Sequence, residues 1–138
     1  MILTCALLIV LTSCPSVVAA APAVVTQDPR TSVETAIPEG IRLLEAKDYA
    51  TFLRLFVPPD VLKELSAAES FEGFAKTFGE DGKATAVLAA LKSIRGTKPA
   101  IDGDGRRATF TLKVPTEGKT TITFIKIGEF WYISDNQP

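Results

Sequence analysis

The sequence predicts an α+β domain whose N-terminal helices pack on a C-terminal antiparallel meander of three to four curved strands. Three observations carry this. Up to Gly96 the apolar residues recur at helical spacing, as in Tyr49, Phe52, Leu53 and Phe56. Beyond Gly96 the period changes to two: Ala108, Phe110, Leu112 and Val114 alternate with Thr109, Thr111 and Lys113. The whole chain has 138 residues, the length of one domain.

The elements follow in order. Residues 22–32 hold two prolines and no periodicity, and read as a linker before a single domain over 33–138. Pro38 suits the first turn of a helix running to about Ala46, with Ile37, Ile41 and Leu44 on one face. Asp48 is placed to cap a second helix, Tyr49 to Phe56, which Val57-Pro58-Pro59 stops. Asp60 then caps a short turn from Val61 to Leu65. Ser70 caps a helix bearing Phe71, Phe74, Ala75 and Phe78 on one stripe, up to the break at Gly79–Gly82. Ala84 to Arg95 forms a helix with Val87, Leu88, Leu91 and Ile94 on one side, and Gly96 ends it. Lys98–Ile101 forms a short strand, turned by Asp102-Gly103-Asp104-Gly105 into the long strand around Phe110. Thr116–Lys119 turns the chain into a strand over Thr121–Ile127. Gly128-Glu129 turns it again into Phe130–Ser134.

Residues 1–21 read as an export signal. Residues 2–11 form an uncharged, predominantly apolar run, the length of a signal-peptide core and half of the about 20 residues that span a bilayer. Val18-Ala19-Ala20 is a small-x-small cleavage pattern that places the cut after Ala20. A competing reading takes Leu11-Thr12-Ser13-Cys14 as a lipobox, with Cys14 acylated and the membrane reached through that lipid. No Lys or Arg precedes the apolar run, which a start placed too far downstream would explain. An uncleaved anchor is the third reading, and all of them put the protein outside the cytoplasm, in the periplasm, secreted or lipid-anchored. Cys5 and Cys14 both fall in this segment, so the domain is Cys-free and suits an oxidising compartment.

Composition excludes whole classes of chemistry. The chain has no histidine, which removes His-based triads and imidazole metal sites. With 15 basic and 16 acidic residues it lacks the basic excess that a general nucleic-acid binder needs. The charge is nevertheless segregated. Residues 28–82 carry 11 acids and 6 bases, whereas residues 83–126 carry 3 acids and 9 bases, Lys92, Arg95, Lys98, Arg106, Arg107, Lys113, Lys119 and Lys126 among them. That split suits complementarity within the fold, or an anionic surface or envelope partner.

Further residues carry the resemblance to a family. The joint Ala46-Lys47-Asp48-Tyr49, the strand Asp104-Gly105-Arg106-Arg107-Ala108-Thr109-Phe110-Thr111-Leu112 and the ending Ile127-Gly128-Glu129-Phe130-Trp131-Tyr132-Ile133 resemble the nuclear-transport-factor-like superfamily of cone-shaped α+β domains. They are most similar to its small exported bacterial members, over roughly residues 33–135. The resemblance implies a pocket inside the cone but no reaction, because the catalytic residues of its isomerases and dehydratases map onto no motif in this chain. The Gly128–Trp131 turn is one residue longer than the commonest form, which implies a bulge or shifted register there.

The functional expectation is a non-catalytic exported module, without cofactor or metal, that binds a small molecule or an envelope protein. A homodimer is an open alternative. Tyr49, Phe52, Trp131 and Tyr132 are the pocket candidates; a packed core competes for the same rings. The runner-up is a small acid–base enzyme, for which Asp48, Glu45 and Tyr49 are the weak catalytic candidates. A lipid-anchored structural envelope protein is the third. Asp102-Gly103-Asp104-Gly105 superficially resembles a calcium loop, but the twelfth residue from Asp102 is Lys113 rather than Glu, so a hairpin turn is expected.

Overall fold

The computed structural model describes residues 27–134; the signal-peptide readings at Cys14 and Ala20 lie outside them. Among the described residues, five α-helices precede a four-stranded antiparallel meander in the order β1-β2-β3-β4. The fold is α+β, with the helices gathered on one side of the sheet to bury its apolar face.

The first helix, α1 (Val33–Glu45), starts earlier than Pro38 suggested. Ser32 caps it, its Oγ accepting from the Thr35 N–H at 3.2 Å. Pro38 therefore lies inside the helix, exposed, and forgoes one backbone bond to the carbonyl of Glu34. Seven buried positions, from Val33 to Leu44, offset that loss. The helix ends in a paired set of turn bonds: Lys47 N–H to Leu44 O at 3.1 Å and Asp48 N–H to Leu43 O at 3.0 Å. Lys47 takes the left-handed position at φ 58 that glycine usually fills.

The next two helices form one wall. In α2 (Tyr49–Phe56), Phe52, Leu53 and Phe56 are buried at the predicted spacing. In α3 (Pro59–Ala68), Asp60 is not the cap. Pro59 takes the first helical position, where its missing N–H costs nothing, and Asp60 sits inside the first turn near the positive end of the dipole. The helix also runs past Leu65 to Ala68.

Ser70 caps α4 (Phe71–Glu80) through the Gly73 N–H at 3.2 Å. In α5 (Lys83–Ile94), Leu91 and Ile94 are wholly buried between α1 and the sheet. The α1 and α5 helices approach closely because Gly40 has no side chain. A Cβ built there would stand 3.1 Å from Leu91 Cδ1 and 3.4 Å from Phe52 Cε2.

In the sheet, β1 (Ala100–Ile101) pairs with β2 (Arg107–Thr116), which pairs with β3 (Lys119–Ile127), which pairs with β4 (Phe130–Ser134). Ala108, Phe110 and Leu112 face the core as the alternation requires, but Val114 is 67% exposed. The reason is a register shift: Thr111 pairs with Thr121 while Thr116 pairs with Lys119, so β2 carries extra residues that bulge from the ladder. Pro115, with no N–H, lies in the bulged stretch. The turn beyond it uses positive φ at Glu117 (51) and Gly118 (78), the signature of a type I′ hairpin. At Gly128-Glu129, by contrast, pairing is continuous from Phe124–Ile133 to Ile127–Phe130, without the bulge that the longer turn implied.

The outer edge of β2 is largely uncovered, since β1 spans only Thr109 and Ala108. Farther along, the Lys113 N–H donates to Ser93 Oγ of α5 at 2.9 Å.

Both faces of β4 are covered. Trp131 joins the main core, while Tyr132, on the opposite face, is buried beside a 3-10 turn at Pro29–Thr31. Arg30 holds that turn in place. Its Nε and Nη2 donate to the Asp28 carboxylate at 2.9 and 2.8 Å, and its Nη1 donates to Leu55 O at 3.2 Å. Its guanidinium lies over the Phe130 ring at 4.4 Å and near that of Tyr132 at 5.6 Å. Leu55 is in the last turn of α2, whose carbonyls lack helical donors, so Arg30 caps α2 from a distant segment.

The Arg30 side chain is 14% exposed, and its hydrogen bonds hold the Asp28 carboxyl below the usual carboxylate range. A depressed acid contributes stability that is present above its unfolded pKa of about 3.9 and lost as pH falls through the lower folded value. Arg30→Ala is expected to cost about 2 kcal/mol at pH 7. Urea melts should show the gap to wild type narrowing below pH 4; an unchanged gap at pH 2 would mean the ion pair contributes nothing.

Candidate functional site

A cavity of about 460 Å³ opens between α2, α3, α4, α5 and the sheet, within the size range of small-molecule sites. The helical stripes build it. Phe52, Leu53 and Phe56 of α2 form its floor, with the Phe52 and Phe56 rings 5.2 Å apart. Phe78 of α4 stacks on Phe52 at 6.0 Å, and Phe74, one turn earlier, adds a second ring. Val61 and Leu65 of α3 and Val87 of α5 line the sides; Ile133 closes the sheet end.

Polar groups sit at the mouth. Asp60, Lys83, Glu117 and Lys119 line it and are all exposed. They come from α3, the start of α5 and the β2–β3 hairpin, and carry two positive and two negative charges. A second, smaller cavity of about 80 Å³ adjoins this one, sharing Val87, Glu117, Lys119, Ile133 and Ser134. Among the described residues no polar or charged side chain is buried. Nor does any group of three or more His, Cys, Asp or Glu among them stand close enough to hold a metal ion.

Of the aromatic candidates, Phe52 lines the larger cavity. Tyr49 lies elsewhere: its ring covers Gly79 and meets Phe78 edge-on at 6.0 Å. Trp131 is in the packed core with Lys126 Nζ 5.9 Å above its ring, and Tyr132 is buried beside Arg30. The acid–base candidates are also dispersed. Asp48 is exposed and caps α2, accepting from the Thr51 N–H at 3.2 Å; Glu45 pairs with Lys92 at 2.6 Å. Neither carboxylate lines either of these two cavities. Asp102–Gly105 is a hairpin turn. Gly105 N–H donates to Asp102 O at 2.8 Å and Arg106 N–H to Asp104 Oδ1 at 3.1 Å, while the Asp102 carboxylate lies 3.8 Å from Arg107.

Asp48→Ala is expected to lower stability by about 0.5–2 kcal/mol, whereas Asp48→Asn, which still accepts a hydrogen bond, should leave it nearly unchanged. Thermal melts of the two variants test the assignment. Equal losses would show that the charge, not the cap, matters.

Sequence reasoning misses the wall that α3 contributes. Val61 and Leu65 stand four residues apart, the spacing of one helix face, but a helix ending at Leu65 is one turn too short to suggest a wall. Comparison with known proteins finds no matching family model, no matching curated protein and no matching solved structure. Among the described residues no helix is long and apolar enough to cross a membrane.

Proposed function

We propose that this protein is a non-catalytic exported module that holds a small, largely apolar molecule in the cavity between its helices and sheet. The observation that carries the reading is the lining: aromatic and aliphatic side chains inside, with every charged group at the mouth. Such a site rewards burial of apolar surface at about 25 cal/mol per Å² and offers no interior group to move a proton. The balanced charges at the mouth suit a neutral or zwitterionic polar end. The apolar segment 2–11 and the Cys-free domain support export, with cleavage after Ala20 or lipidation at Cys14 as the two routes. The order of helices then meander supports the resemblance to the nuclear-transport-factor-like superfamily.

The test uses the uncharged fluorescent probe N-phenyl-1-naphthylamine titrated into the purified protein. Saturable one-to-one binding with blue-shifted emission is expected. Val87→Trp, which fills space that both cavities share, should weaken it about tenfold. Absence of saturable binding, or equal binding by Val87→Trp, would overturn the reading. Mass spectrometry of the native N-terminus separates the two export routes, and a retained Met1 would overturn both.

A further inference from the structure

We infer that α3 is the movable cover of the cavity, opening to admit the apolar ligand and settling onto it when the ligand is bound. The inference rests on the cavity being a binding site. Among the five helices of the described residues, α3 is the one with no buried residue, whereas α1 has seven. Its Val61 and Leu65 are only half-buried, and what they face is the cavity. Its principal packing is against α2 and α4, with no comparable contact to α1, α5 or the sheet.

At both ends the helical hydrogen-bond ladder is broken, so α3 is not continuous with α2 or α4. The entry is Val57-Pro58 in extended conformation, and Pro58 supplies no side-chain cap to the helix. The exit is Glu69, extended at φ -149 and ψ 159, immediately before the independently capped start of α4. A ten-residue helix is marginal on its own in water, so its order depends on what its apolar side touches. Leu62 packs against the core, but an empty cavity leaves Val61 and Leu65 without a comparable apolar partner. A ligand fills the gap and gives Val61 and Leu65 an apolar surface to close on. Local opening costs least where few apolar groups are buried, which places α3 at the low-stability end of this fold.

Hydrogen exchange read by mass spectrometry on the whole protein tests the inference, with and without N-phenyl-1-naphthylamine. Without probe, amides within 59–68 should exchange well before those of α1 and α5. With saturating probe, their exchange should slow more than that of any other helix. Leu65→Ser should weaken probe binding about tenfold, the loss of one leucine-sized apolar contact, while leaving the melting temperature within a few degrees. Protection of α3 equal to that of α5 in the free protein would overturn the cover. So would saturable probe binding without slower exchange over 59–68, and that result would leave the cavity reading standing. Failure of the probe to bind at all would overturn both together.

Discussion

Phe110→Ala is expected to destabilise the protein by about 3–5 kcal/mol, while Thr111→Ala, one residue on, should cost under about 1 kcal/mol. Phe110 is 1% exposed and meets Phe124 of the neighbouring strand edge-on at 5.8 Å. Its removal leaves a void among residues that strand pairing holds in place, since Phe110 is registered to Ile122 and Ala108 to Phe124. Thr111 points to the opposite face and is exposed. Urea melts of the two variants therefore read the two faces of β2 directly. Equal losses would mean that both faces of β2 are buried or that the alternation of its side chains is wrong.

The second large effect lies where α1 crosses α5. Leu91→Ala is expected to cost about 2–5 kcal/mol, because Leu91 is fully buried and its Cδ1 reaches the surface of Gly40. The consequence for Gly40→Ala is a change of sign. Alanine is worth up to about 1 kcal/mol over glycine inside a helix, but in the wild-type protein the new methyl stands 3.1 Å from Leu91 Cδ1, and because Leu91 is wholly buried and has little room to yield, crowding is expected to outweigh that gain. In the Leu91→Ala background the space is open, so Gly40→Ala should stabilise. A double-mutant cycle by denaturant melts measures the coupling. Additive effects would show that the two residues do not compete for the same volume.

Much of the fold is legible in the sequence because periodicity reports burial. The stripe on α2 and the alternation from Ala108 to Leu112 both follow from one face meeting the core. The departures have local causes. Pro38 places the start of α1 too late, since proline favours a first turn but is also borne inside a helix whose buried face offsets one missing bond. Val114 fits the alternation in sequence, yet the bulge before Thr116 removes it from the ladder. The site is less legible still. Phe52 stands out because it belongs to a strong stripe. The cavity itself depends on how far apart four helices stand, which no spacing encodes. The Arg30 clamp is invisible in sequence for another reason: its partners, Leu55 and Phe130, are 25 and 100 residues away.

The incomplete outer edge of β2 bears on how these molecules behave in company. An exposed strand offering a continuous row of donors and acceptors is a template on which another chain can add. In this sheet the row is interrupted. Two residues of β1 cover its start, Ser93 occupies the Lys113 N–H, and Pro115 has none to offer. The charge on Lys113 and the bulge before Thr116 further obstruct a flat approach. At the other end of the sheet, the Pro29–Thr31 turn packs beside the short β4. Two copies meeting edge to edge thus find too short a stretch of matching backbone to zip together. For a chain exported as we propose, into a compartment without ATP-driven chaperones, this is a gain: strand addition at its edge is obstructed while the polar mouth of the cavity stays open to a ligand.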